Sequence, residues 1–173
     1  MTAHEPSKTT AHTRRRAALV ATVTVLTAVD LGLKAWASAA LADGQVVDLG
    51  LVQLRLTFNP GVAFSLGASL PAAVVIGVIG LIVVALAIFA WRVTATATAP
   101  ARLALAVILA GAVANLVDRA ADGVVTDYLH TGWFPTFNLA DVFITVGAAA
   151  MVLASLTGSQ EAEGPTRLPK SGS

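Results

Sequence analysis

The chain has 173 residues, 56% of them hydrophobic and only 12% charged, with a net charge of +1 and a mean hydropathy of +0.78. A soluble domain carries about 25% charged residues, so an ordinary soluble globule is excluded and a membrane protein is indicated; the near-zero net charge gives no electrostatic reason for a nucleic-acid partner. The absence of cysteine rules out disulfides, thiolate metal sites and a cysteine nucleophile, and the histidines His4, His12 and His130 are too scattered for a zinc site.

Residues 1–16 are polar and end in Arg14, Arg15 and Arg16, which reads as a disordered basic tail. The apolar run after it carries Asp30 and Lys34 where a secretory signal would need its cleavage site, so a removable signal is the weaker reading. A helix crosses the hydrocarbon core with about 20 apolar residues. Four segments meet that need, at about 17–37, 70–91, 101–117 and 139–156, the third being short. Between the first two, Val52, Leu54, Leu56 and Phe58 alternate with Gln53, Arg55 and Thr57, the pattern of a strand with one buried face. With the turn signal Asp43-Gly44 before it, this predicts a small sheet over about residues 43–58, lying on the helix ends. Residues 157–173 are rich in Gly, Ser, Pro and charge and read as a second disordered tail.

The Lys and Arg content of the loops sets the expected orientation. Lys8, Arg14, Arg15, Arg16, Arg92, Arg102, Arg167 and Lys170 fall on the side of the termini, against Lys34, Arg55 and Arg119 on the other. Both termini are therefore expected in the cytoplasm. The acidic residues Asp30, Asp43, Asp48, Asp118, Asp122, Asp127 and Asp141 gather at or beyond the outer ends of the spans. Acids contribute little to topology, so their placement bears on function.

An ionisable residue inside a span costs roughly 2.5–3.5 kcal/mol on insertion scales and so faces a cavity or a partner. Asp30 and Lys34, at i and i+4, share a helix face and read as a structural ion pair. Asn59-Pro60-Gly61 is a turn before the second span, with an amide able to meet an extended peptide. Asn115, Asp118 and Arg119 form one polar helix face, in which Asp118 either neutralises Arg119 or leaves it to bind a carbonyl or phosphate. Asp127 falls on the expected loop after the third span. Asp141 lies about one turn into the fourth, with Asn138 three residues before it as a candidate helix cap. Alone, Asp127 is an ordinary loop aspartate and Asp141 a favourable charge at a helix N-terminus. Together they read better as a pair at the membrane surface.

Five blocks then stand in order: Asp30-Leu-Gly-Leu-Lys34, Asn59-Pro-Gly-Val-Ala-Phe-Ser65, Asn115-Leu-Val-Asp-Arg119, Gly123-Val-Val-Thr-Asp127-Tyr128 and Trp133-Phe-Pro-Thr-Phe-Asn-Leu-Ala-Asp141. With these the chain resembles lipoprotein signal peptidase (signal peptidase II) over roughly residues 17–156. The resemblance implies an all-α membrane protein of four transmembrane helices with a small extracytoplasmic β cradle. It implies an aspartic endopeptidase of the bacterial cell membrane, cutting prolipoproteins on the N-terminal side of a diacylglyceryl-modified cysteine. By motif the catalytic pair is Asp127 and Asp141, the substrate-binding residues are Asn59, Asn115, Arg119 and Asn138, and Asp30, Lys34, Gly61, Phe64 and Asp118 support them. No metal and no cofactor is implied; the partners are the lipidated precursors and membrane lipid, and a monomer is expected. Thr126 and Tyr128 stand where the family usually has Val and Phe, and Pro60 where it often has Thr or a small residue, differences expected to tune the loop without changing the chemistry.

Two adjacent carboxyls can share one proton because like charges split their pKa values, so one can act as base and the other as acid on an amide. The rival enzyme reading is a Ser/Lys protease using Ser65 or Ser69 with Lys34, which leaves the two aspartates unused. A proton-coupled transporter would need an acid near mid-membrane, whereas these cluster at one face. A purely structural subunit would not need so many outer polar residues.

Overall fold

The structure, a computed structural model, describes residues 8–60 and 71–162. In chain order it contains α1 (Lys8–Ala40), β1 (Val46–Asp48), β2 (Gln53–Asn59), α2 (Ala72–Val93), α3 (Ala99–Asp122), β3 (Val125–His130) and α4 (Leu139–Ala162). All four helices are long and apolar enough to cross a membrane. The architecture is four membrane helices with a small three-stranded sheet at one end.

The helices run past the spans expected from hydropathy alone. α1 takes in residues 8–16, which composition assigns to a tail. Adding residues to an existing helix costs no new nucleation, and the stretch from Lys8 to Arg16 contains no Gly or Pro to stop it. At about 1.5 Å per residue α1 is about 50 Å long, well beyond the hydrocarbon thickness. α3 covers Ala99–Asp122 rather than 101–117, so Asp118, Arg119 and Asp122 are helical. Its end is set by Gly123, whose φ of 80° is open to glycine at little cost and whose N–H closes on Arg119 O at 2.8 Å. α4 continues to Ala162, past the 156 expected. Residues 163–173 lie outside the described residues.

Lipid has no hydrophobic reason to drive helices together, so close approach through small residues matters. A Cβ on Gly111 of α3 would stand 2.4 Å from Ala140 O of α4. One on Gly147 of α4 would stand 2.6 Å from Ile108 Cγ1 of α3. Thr27 Oγ1 of α1 donates to Ala110 O of α3 at 3.2 Å. α3 is thus the central helix, touching α1, α2 and α4. Leu19, Val83, Ala90, Leu105, Ala106 and Leu109 form the buried core between α1, α2 and α3. The outward apolar residues of α2, such as Val78, Leu81, Ile82 and Phe89, are exposed, as lipid-facing residues should be.

The sheet has the order β1-β2-β3, antiparallel throughout. The alternation in residues 52–58 does form a strand, but its phase breaks. The pairing register shifts between Leu54 and Thr57. Such a bulge moves later side chains to the other face. Leu54 and Leu56 pack with Ala37, Leu41 and Tyr128, while Phe58 is 55% exposed rather than buried. β3 is the larger correction, because Asp127 stands on a strand and not on a loop. Val125, Thr126, Asp127 and Tyr128 are buried in succession, so β3 is covered on both faces. A strand of that kind carries no alternation to read.

Candidate active site

Asp127 pairs across the sheet with Thr57, and Asn59 with Val125 next to it. After β3 the chain folds back: Tyr128 and Leu129 donate their N–H groups to Phe137 O, and Phe137 N–H returns to Leu129 O. This delivers Asn138 beside Asp127 at the start of α4.

Asn138 and Asp141 form a reciprocal helix cap. Asn138 Oδ1 accepts the Asp141 N–H at 3.0 Å, and Asp141 Oδ2 accepts the Asn138 N–H at 3.1 Å. The expected cap and helix-start charge are therefore both present. They do not exhaust the two residues. Asn138 Nδ2 also donates to Asp127 Oδ1 at 2.7 Å, so one asparagine holds both aspartates. Asn59 Nδ2 donates to Asp127 Oδ2 at 3.2 Å, and Asn115 Nδ2 to Asp141 Oδ1 at 2.9 Å.

Lys34 lies behind this arrangement. Its Nζ donates to Asn115 Oδ1 at 2.7 Å and pairs with Asp30 at 2.9 Å and Asp118 at 3.3 Å. Asp30, fully buried, accepts the Ala140 N–H at 2.8 Å and so ties α1 to the first turn of α4. Asp118 Oδ2 accepts the Thr126 N–H at 2.7 Å, tying α3 to β3. Among the described residues Asp118 forms its ion pair with Lys34 rather than with Arg119. Arg119 is 8% exposed, and its buried Nε makes no hydrogen bond among the described residues.

Burial dominates the electrostatics of Asp127 and pushes its carboxyl up to about 6. The amides of Asn138 and Asn59 pull it down, the negative charge of Asp141 pushes it up, and Lys34 pulls it down. Burial likewise raises the Tyr128 hydroxyl to about 12, followed by the charge of Asp30. Among the described residues no three His, Cys, Asp or Glu side chains are grouped to hold a metal.

The structure therefore brings together Asp30, Lys34, Asn59, Asn115, Asp118, Arg119, Asp127, Asn138 and Asp141. Gly61 and Phe64, with the rival nucleophiles Ser65 and Ser69, lie outside the described residues. Sequence reasoning gave no binding role to Thr126 or to the Ala140 N–H. Thr126 drew notice only as a departure from the usual Val, and a backbone donor leaves no mark in composition.

The chain matches the family model described as Signal peptidase (SPase) II over residues 22–157. It is 38% identical over 135 residues to the lipoprotein signal peptidases of Brucella ovis and Brucella melitensis, spanning 75% of this chain and 84% of each relative. Two solved bacterial membrane enzymes share its fold. One, determined by the in meso method at 2.3 Å, has a TM-score of 0.69 at 19% identity, covering 88% of this chain and 95% of the other. The second, at 1.9 Å, has a TM-score of 0.65 at 20% identity, covering 81% and 93%.

Proposed function

The chain belongs to the signal peptidase II family, multi-pass membrane proteases that remove signal peptides from prolipoproteins, and from that premise we propose that Asp127 and Asp141 are its catalytic pair. The observation that carries this is Asn138, which binds Asp127 with its amide and Asp141 with its own backbone N–H.

The chemistry follows from the balance of protons. One carboxylate takes a proton from water while the water oxygen bonds to the scissile carbonyl carbon. The other, as the acid, gives its proton to the carbonyl oxygen. The resulting gem-diol then collapses: the leaving nitrogen takes the proton held by one carboxyl, the C–N bond breaks, and the other carboxylate takes a hydroxyl proton of the gem-diol, so the pair again holds one proton. The titration belongs to the pair rather than to one residue. Burial raises the Asp127 carboxyl to about 6, which favours a proton kept on the pair. Arg119, with a buried donor not used among the described residues, is suited to a backbone carbonyl of the precursor. Asn59 and Asn115 each spend an amide N–H on one aspartate, which makes them positioning residues for the pair.

The site stands at one end of the spans, and the Lys/Arg distribution supports an extracytoplasmic site with both termini in the cytoplasm. The cut then falls on the N-terminal side of a diacylglyceryl-modified cysteine, whose acyl chains stay in lipid while the peptide bond reaches the aspartates. The enzyme acts as a monomer. The test is the mass of the product from purified enzyme and a diacylglyceryl-modified precursor. A mature fragment beginning at the lipidated cysteine is expected, with little cleavage of the unmodified precursor. Cleavage elsewhere, or equal cleavage of both precursors, contradicts the reading.

A further inference from the structure

A slot between α1 and α3 lies at the other end of the helices. It is lined by Arg15, Ala18 and Leu19 of α1 and by Arg102, Leu103 and Ala106 of α3, among others. The helical rise puts Arg15 about 22 Å from Asp30 along α1, so slot and aspartate pair stand at opposite membrane faces. Both guanidinium groups are held. Arg15 Nη1 donates to Ala95 O and Arg102 Nη1 to Ala97 O, two carbonyls of the short α2–α3 connection. A guanidinium carries five N–H donors, so the bond to the carbonyl uses only part of each. Among the described residues no carboxylate lines the slot, and none occurs in α1 before Asp30, in α2, or in α3 before Asp118.

Arginines near a membrane face can simply snorkel, with apolar stems in lipid and heads in water. That accounts for one arginine at a time. It does not account for two from different helices, fixed by the same turn, beside one apolar slot. Phosphate is the group that two guanidinium forks recognise best. Basic pockets between membrane helices at the cytoplasmic face suit anionic headgroups. We propose that the slot holds one anionic glycerophospholipid of the leaflet opposite the aspartate pair. The phosphate sits between Arg15 and Arg102, and an acyl chain runs along Leu19 and Leu103.

The test is native mass spectrometry of the full chain released from detergent after incubation with dioleoyl phosphatidylglycerol or dioleoyl phosphatidylcholine. Wild type is expected to retain one phosphatidylglycerol in preference to phosphatidylcholine. Arg15→Gln and Arg102→Gln each lower that retention about tenfold, the scale of one charge-assisted contact. Arg14→Gln, at an exposed position outside the slot, removes the same charge and changes retention by less than about twofold. Ala18→Trp fills the slot from an exposed position without changing charge and also lowers retention. Undiminished precursor cleavage by these variants certifies their folding. The proposal is overturned by equal retention of the two lipids, or by an Arg14→Gln effect as large as the other two, which would mark diffuse attraction. Displacement by millimolar glycerol 1-phosphate would also overturn it, showing a bare anion subsite.

Discussion

Lys34 donates through Nζ to Asn115 Oδ1 at 2.7 Å, and this decides which way round Asn115 faces Asp141. An ammonium has only donors, so it must meet the oxygen end of the amide. That leaves Asn115 Nδ2 for Asp141 Oδ1. The same logic orients Asn138, whose oxygen takes the Asp141 N–H and whose nitrogen therefore faces Asp127. Lys34 thus orients an aspartate's amide partner, besides the direct pull of its charge on Asp127. Lys34→Met should lower stability by about 3–5 kcal/mol, the scale for removing one partner of a buried ionic pair. Cleavage should fall with it. Asp30→Asn keeps an oxygen for the Ala140 N–H and should retain measurable cleavage. Thermal unfolding in detergent and precursor cleavage check both. An Asp30→Asn protein that is folded yet as inactive as the Asp127 and Asp141 variants would show that Asp30 does more than hold α4.

Asn138→Ala removes a helix cap and the link between the aspartates together. The cap alone is worth about 0.5–2 kcal/mol. The activity loss should exceed what that stability loss explains, because Asp127 loses its 2.7 Å donor. The comparison to make is kcat against Tm. A fall in Tm with kcat unchanged would reduce Asn138 to a cap.

Gly111 carries the α3–α4 contact at the point where α4 bears Asn138 and Asp141. A methyl group there meets Ala140 O at 2.4 Å, a backbone atom that cannot turn away. Gly111→Ala should push the start of α4 off α3 and cut cleavage about a hundredfold, the scale of a misplaced catalytic group. Gly77→Ala, with nothing within 4 Å of the added carbon, should be silent. Cleavage rates of the two variants side by side provide the check.

The raised Asp127 carboxyl has a definite sign for stability. Its folded value of about 6 lies above the ordinary aspartate value of 3.8, so between these the folded protein binds more protons than the unfolded chain. The contribution of Asp127 to stability therefore falls as pH rises from 4 to above 6. The Tm of Asp127→Asn minus that of wild type should grow across that window and then level off. In the same way kcat/KM should decline on an alkaline limb with a midpoint near 6, as the free enzyme loses the shared proton. A flat Tm difference from pH 4 to 8 would remove the buried carboxyl from the account.

Much of this site was legible because helical spacing is rigid. Asp30 with Lys34 and Asn138 with Asp141 follow from periodicity, and the structure finds both pairs in contact. The four apolar runs were legible because lipid demands length. β3 was not, because a strand buried on both faces shows no alternation and Val125–His130 is short. The outward turn of Phe58 was hidden too, since a register shift belongs to the pairing and not to the strand's own sequence. Nor could spacing show that Lys34, besides its partner Asp30, also holds Asn115, 81 positions away. Contacts between helices depend on which small residues let backbones meet, here Gly111 and Gly147.

The central claim is that Asp127 and Asp141 act together on the precursor. Its most direct measurement is the single-turnover cleavage of a diacylglyceryl-modified prolipoprotein by Asp127→Asn and by Asp141→Asn, each first shown to be inserted and to unfold cooperatively in detergent. No detectable mature product is expected from either variant, and no further loss in the double variant, as for residues that work as a unit. Near-normal processing by either single variant would contradict it.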